Sequence, residues 1–322
     1  MKFCTRVATA LLAVAAVVWG SAPAQAASSQ VPLPLFDGHA GAIQRQGSST
    51  MVPEGTNNPQ CTADEIVVMV HGTDATFYAD YALIGETLAR AGWCVYGIDY
   101  GYGESASGEG SYGWAPLTSS AAQIDQLVDN AMATSGASRV HMVGYSQGAT
   151  VSRYWVNEMS HGRAASWFGL GSPTSGVDIP AVDQRFHASS AQQSIIAPAL
   201  LDHVRGSEVM RSLTNTPTVP GVRYATFGSR FDGVLSVVDQ RLPGATNIVL
   251  QDVCPSDLSG HFFLPYNPTA VEAIEQWLRD GEIGQLPCQP RSLGHGSAEL
   301  AIVSNFGGTQ LPPPVVYPPS PS

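Results

Sequence analysis

One serine in this chain sits where a serine can become a nucleophile. Gly144-Tyr145-Ser146-Gln147-Gly148 fits the pattern G-x-S-x-G. The pattern alone is a weak signal in a sequence with 33 glycines, so its surroundings decide. Arg139–Gly144 (RVHMVG) reads as a short apolar strand and Gln147–Met159 as an amphipathic helix, with Ser146 at their junction. A strand-to-helix turn that tight strains the serine backbone, and flanking glycines remove the side chains that would clash. The hydroxyl then stands above a sheet, with the positive end of the helix dipole directed at the reacting centre. Such a hydroxyl needs a base for its proton and donors for an oxyanion, and the chemistry they serve together is acyl transfer.

The first donor expected is the backbone N–H after the nucleophile, that of Gln147. The second belongs on the loop after an earlier strand. His71-Gly72-Thr73 follows the β-branched run Glu65–Val70, which assigns Thr73 to that role. His71 precedes the serine and reads as a residue that shapes the turn. In this architecture the order is serine, acid, histidine. Of the histidines after Ser146, His161 closes the helix that leaves the serine turn. His187 and His203 fall in an irregular stretch, and His295 in an aperiodic tail. His261 lies in a loop between a strand, Asn247–Gln251, and the last helix, and is the expected base. Asp232 follows the strand Val222–Phe227 and is the expected acid, with Asp239, Asp252 and Asp257 as the alternatives.

The elements that must position these residues alternate along the chain. Phe77, Tyr81, Ile84, Leu88 and Ala91 recur at helical spacing after the first strand. Cys94–Tyr100 reads as a second strand, Gly101–Pro116 as a loop, and Ile124–Ala131 as part of another helix. Ser166–Gly171 is a fourth strand. Val271, Ile274 and Leu278 mark the last helix. Strands alternating with helices imply an α/β fold with a mainly parallel sheet covered on both faces. Between Thr174 and Pro220 no period holds, although Ala197–Val204 looks helical.

With 44% hydrophobic and 13% charged residues among 322, the chain fits neither a disordered protein nor a coiled coil. A formal net charge of −11 would repel a phosphate backbone, which argues against nucleic acid. Lys2 and Arg6 precede an apolar run from Val7 to Trp19, and Ala24-Gln25-Ala26 supplies a small-x-small site. The expectation is a leader cleaved after Ala26 and a secreted protein with no stable membrane span. Cys61, Cys94, Cys254 and Cys288 then remain, an even number that suits two disulfides in three possible pairings. The expected organisation is a leader (1–26), a loose polar arm (27–60), a catalytic domain (61–288) with an irregular insertion (174–220), and a Pro-rich tail (289–322).

From Cys61 to Cys288 the sequence resembles the secreted class 2 bacterial triacylglycerol lipases, and more distantly the fungal lipase B enzymes. VMVHGT, GWCV, GYSQG, SRFDGV and VCPSDLSGHFFL carry the resemblance, in that order. It implies an α/β-hydrolase fold with Ser146, Asp232 and His261 as catalytic triad and Thr73 and Gln147 as oxyanion hole. It also implies the disulfides Cys61–Cys94 and Cys254–Cys288. The fungal pattern has Thr where Gly144 stands and Pro where His71 stands. The expected activity is hydrolysis of carboxylic esters of lipids through an acyl-enzyme, without metal or cofactor. The partner is a lipid or other hydrophobic ester, met at an interface, and the oligomeric state is left open. Phe77, Trp114, Phe262 and Phe263 are the aromatics expected to line an acyl groove. The rival readings are a polyester or cutin-type hydrolase, an acyltransferase using the same triad, and a non-catalytic binding protein on the same scaffold.

Overall fold

A computed structural model describes residues 37–104, 110–178 and 198–302. The expected leader, the start of the arm, His187 with the middle of the insertion, and the Pro-rich end lie outside the described residues.

Six strands form the main sheet: β1 (Glu65–Val70), β2 (Val95–Gly97), β3 (Arg139–Tyr145), β4 (Ala164–Leu170), β5 (Arg223–Gly228) and β6 (Thr246–Val249). Every pairing is parallel, in the order β2-β1-β3-β4-β5-β6. Parallel strands buried on both faces need apolar residues in succession. Accordingly β4 is buried throughout and Ile66 to Val70 of β1 are 0% exposed. Alternation then divides the strand between two cores. Ile66, Val68 and Val70 pack with Ile124 and Val128 of helix α3 (Leu117–Ser135) on one face. Val67 and Met69 pack with Tyr81, Ile84 and Leu88 of α2 (Phe77–Arg90) on the other.

The remaining helices close the layers. α4 (Gln147–Tyr154) runs on into a π-helical turn, Trp155–Met159. α5 (Pro198–Asp202) and α6 (Glu208–Asn215) occupy the second half of the insertion. α7 (Pro268–Asp280) starts at Asn267, whose side chain accepts from the N–H groups of Thr269 and Ala270, and ends at Gly281 with φ +73°. α8 (Ser297–Ile302) ends the described chain.

Several elements differ from expectation. The arm is not loose throughout: residues 38–46 form α1 (Gly38–Gln46), whose Ala42 packs with Tyr78, Ala82, Phe263 and Tyr266. The second strand is shorter than its apolar run, because residues after Gly97 turn towards the site. β6 stops at Val249, where Leu250–Val253 makes a helical turn capped at Cys254. Disulfides join Cys61 to Cys94 and Cys254 to Cys288. No helix among the described residues is long and apolar enough to cross a membrane.

The strand order locates the site. From β1 the chain moves outward to β2 and then returns to place β3 on the opposite side of β1. The loops leaving the carboxyl ends of β1 and β3 therefore diverge and open a crevice between them.

Candidate active site

Ser146 occupies the single residue between β3 and α4, at φ +52° and ψ −124°. That region is costly for a residue with a side chain. Its neighbours show why the turn needs glycine. A Cβ on Gly144 would stand 2.4 Å from Ala149 Cα, and one on Gly148 would stand 2.0 Å from the Val70 carbonyl oxygen. The elbow is thus pressed against the end of β1, with Ser146 half-buried at its tip.

His261 begins a short 3₁₀ helix after the β6 connection, and its Nε2 lies 2.9 Å from Ser146 Oγ. Its Nδ1 lies 2.7 Å from Asp232 Oδ2. The other carboxylate oxygen, Oδ1, accepts from the N–H groups of Val234 (3.0 Å) and Leu235 (2.6 Å). These two donors orient the carboxylate and, being neutral, leave its charge for the imidazole. Asp232 and His261 are each 2% exposed. Residues 115 and 29 positions apart along the chain are thereby joined in one hydrogen-bonded relay. Such a relay can take a proton from the serine hydroxyl and stabilise the imidazolium that results.

The alternative acids are engaged elsewhere. Asp239 pairs with Arg205, and Asp252 with Arg230. Asp257 is buried and accepts from Ser259 N–H (3.0 Å) and from the Asn267 amide (2.7 Å). It belongs to a network that binds the acid loop to the base loop. Ser229 Oγ donates to the Ser259 carbonyl, and the Gln251 amide donates to Ser229 Oγ and to the Asp257 carbonyl. His161 is exposed, His203 is buried with Nδ1 on the Ala199 carbonyl, and His295 packs on Phe263.

The loop after β1 passes beside the elbow: a Cβ on Gly72 would stand 3.3 Å from Ser146 Cβ. Thr73 Oγ1 donates to Gln147 Oε1 at 2.7 Å, and Gln147 Nε2 donates to the Gly113 carbonyl at 2.6 Å. Thr73 and Gln147 are therefore linked directly. As the first residue of α4, Gln147 has a backbone N–H with no acceptor inside the helix. His71 is 0% exposed and acts on the same loop. Its Nε2 accepts from Tyr100 N–H at 3.1 Å, so the ring proton is on Nδ1, 2.7 Å from the Gly72 carbonyl oxygen. That carbonyl shares a planar trans peptide with the Thr73 N–H, so His71 fixes the direction of that N–H. Burial pushes the His71 imidazole down from 6.5 to about 4, which keeps it neutral for this role.

Two of the four expected groove aromatics are packing residues. Phe77 is 1% exposed and fills the space left by Gly97, where a Cβ would come within 2.4 Å of its ring. Phe263 is 3% exposed and faces α1 and the chain after Cys288, with Arg291 over its ring. A phenylalanine looks the same in sequence whether it walls a groove or fills a core. Phe262 and Trp114 remain partly exposed. Phe262 stands edge-on to His261 at 5.4 Å between centroids. Trp114 follows Gly113 and donates its indole N–H to Asp74.

Residues 65–192 match the sequence profile of a family described as the alpha/beta hydrolase fold. The fold is that of the α/β hydrolases. No curated protein matches the chain in sequence. Among solved structures, the chain is similar to the mature form of a Bacillus licheniformis lipase at 15% identity, covering 71% of this chain and 95% of that one, with a TM-score of 0.46. It is also similar to a Bacillus subtilis carboxylesterase at 12% identity, covering 69% and 85%, with a TM-score of 0.45. A Pyrococcus furiosus esterase is similar at 14% identity over 60% and 74%, with a TM-score of 0.42.

Within this α/β-hydrolase fold, sequence reasoning missed three contributors. Tyr145 donates its hydroxyl to the His261 carbonyl at 3.1 Å and packs beneath the imidazole. Asn267 caps α7 and at the same time joins the Asp257 network. Asp80, on α2, accepts from Gly72 N–H at 2.7 Å. Tyr145 was legible as part of the elbow and Asn267, placed before Pro268, as the cap of a helix; no pattern in the sequence points to Asp80.

Proposed function

We propose that this protein is a secreted serine hydrolase that cleaves carboxylic esters of lipids, of the class 2 bacterial lipase type. The observation that carries the reading is the unbroken chain of hydrogen bonds from Ser146 through His261 to Asp232. Ser146 Oγ attacks the ester carbonyl carbon while His261 Nε2 takes the hydroxyl proton, and Asp232 holds the imidazolium. The carbonyl oxygen, now an oxyanion, is held by the backbone N–H groups of Thr73 and Gln147. Collapse expels the alcohol, which leaves with the proton from His261. Water then attacks the acyl carbon as His261 takes its proton. Collapse breaks the bond to Ser146 Oγ, which recovers that proton from His261 as the acid leaves.

The motifs that resemble lipases, from VMVHGT to SGHFFL, support the substrate class. Half-exposed Phe262, edge-on to His261, and Trp114, whose neighbour Gly113 accepts from the Gln147 amide, offer apolar surface. The leader-like first residues and two disulfides support an extracellular location. The test is turnover of p-nitrophenyl esters of increasing acyl length and of emulsified triglyceride, with Ser146→Ala as control. Ester hydrolysis that disappears in the variant is expected. Turnover that survives the substitution overturns the assignment, and activity restricted to soluble short esters overturns the lipid part of it. Amino-terminal sequencing of secreted protein should begin at Ala27.

A further inference from the structure

Asp80 lies directly beneath the loop that carries Thr73, and no step of the acyl-transfer scheme uses it. Its carboxyl is 0% exposed. Oδ2 accepts the Gly72 N–H at 2.7 Å and stands 3.4 Å from where a Gly72 Cβ would be. Oδ1 has no hydrogen-bond partner among the described residues. Oδ1 lies 3.5 Å from His39 Nε2 of α1, on a ring that is itself buried and without hydrogen-bond partners among those residues. The other groups that act on Asp80 or feel its charge are Asp99, Tyr81, Tyr100, Tyr145 and Tyr266, and none of them brings a positive charge. His39 in turn feels His261.

A carboxylate in this position would hold one oxygen unsatisfied in a dry site, with a second acid nearby, which is the costly state for a buried charge. It would also set a negative charge a few ångströms behind the place where the oxyanion must form. The uncharged acid has neither fault. Its carbonyl oxygen accepts the Gly72 N–H, and its hydroxyl faces the basic ring nitrogen of His39. Burial acts in the same direction, raising Asp80 to about 7 and lowering His39 to about 4.

We propose that Asp80, backed by His39 of α1, is a positioning residue for the oxyanion loop and does this work as the uncharged acid. Gly72 is then gripped on both sides, its N–H by Asp80 and its carbonyl by His71. A glycine that could otherwise rotate its peptides freely presents the Thr73 N–H in one direction. The first helix becomes part of the site instead of an appendage to it. The inference rests on Ser146 being the acyl-transfer nucleophile.

The experiment uses the full chain as wild type, Asp80→Asn and Asp80→Ala. Infrared difference spectra between wild type and Asp80→Asn, at about pH 6, read the protonated carboxyl band without any need for activity. Hydrolysis of p-nitrophenyl butyrate gives kcat and KM between about pH 6 and 9, and phosphonate labelling counts reactive Ser146. The band is expected in wild type and absent in Asp80→Asn. The asparagine, neutral at every pH, should keep kcat within about 3-fold and flatten the decline of wild type in alkali. The alanine should lower kcat about 10–100-fold with KM little changed. A wild type without the band, an asparagine as impaired as the alanine, or an alanine with the wild-type kcat overturns the proposal. If the alanine does not fold, the spectrum and the pH profile of the asparagine still decide. A wild type that neither hydrolyses esters nor takes phosphonate on Ser146 overturns the function itself. It is told apart from failure at Asp80, in which Ser146 is labelled.

Discussion

Replacing His71 with asparagine should flatten the protein's loss of stability in acid. The imidazole is 0% exposed, stacked on Tyr100 at 4.3 Å, and hydrogen-bonded at both nitrogens. Burial holds it neutral down to about 4, whereas in the unfolded chain it titrates at 6.5. Below 6.5 the unfolded chain takes up a proton that the folded protein refuses, so stability falls as pH falls and levels off only near 4. Each unit of pH in that window removes roughly 1.4 kcal/mol, or about 3 kcal/mol by about pH 4.5. His39, lowered likewise to about 4, adds a loss in the same direction. Asp80, raised to about 7, works the other way, because the folded protein keeps a proton there that the unfolded chain gives up. The wild-type acid curve is therefore a difference of opposing contributions, and only the variant isolates His71. His71→Asn loses the acceptor for Tyr100 N–H and should be about 1–3 kcal/mol less stable at neutral pH. Urea unfolding at about pH 7.5 and about pH 4.5 measures the gap at each. The gap should close or reverse in acid; an equal gap at both pH values refutes the reasoning.

Gly148→Ala sets a methyl group 2.0 Å from the Val70 carbonyl oxygen and 2.3 Å from that of His71, so the elbow must separate from β1. A loss of more than about 4 kcal/mol is expected, and a melting temperature equal to that of wild type would contradict it. Asp232→Asn keeps the shape of the acid but no longer selects the His261 tautomer with its proton on Nδ1. It should lower kcat for a p-nitrophenyl ester roughly 10³–10⁴-fold with little change in KM, and a loss under about 10-fold would remove Asp232 from the relay. Replacing Cys254 and Cys288 by serine opens a loop with a sequence separation of 34 and should cost about 3–4 kcal/mol in urea unfolding. An unchanged midpoint would show that the loop gains nothing from its tether.

Ser146, Asp232 and His261 were legible in the sequence because each sits at a change of period, where an apolar strand gives way to a turn. The glycines around Ser146 carry a steric meaning that survives without coordinates. Asp80 was not legible, since its partner is a backbone N–H that any residue would supply. α1 escaped notice because the residues it buries are His39, Ala40, Gly41, Ala42 and Gln46, which give almost no apolar signal. α6 hid in the aperiodic stretch, with only Val209, Met210 and Leu213 buried. Phe77 and Phe263 show the converse: bulk and apolarity predict burial, but not whether a core or a substrate does the burying.

The two rims of the sheet carry a further consequence. β2 offers three residues at one rim and β6 four at the other, before the chain turns helical at Leu250. Unpaired strand edges are the usual templates on which partly melted β-proteins stick together. Here both rims are short, Asn57 already takes the outward backbone groups of Val95 and Gly97 on β2, and a disulfide is fastened beside each rim at Cys94 or Cys254. Heated or crowded, such molecules have little free backbone with which to recruit a neighbour.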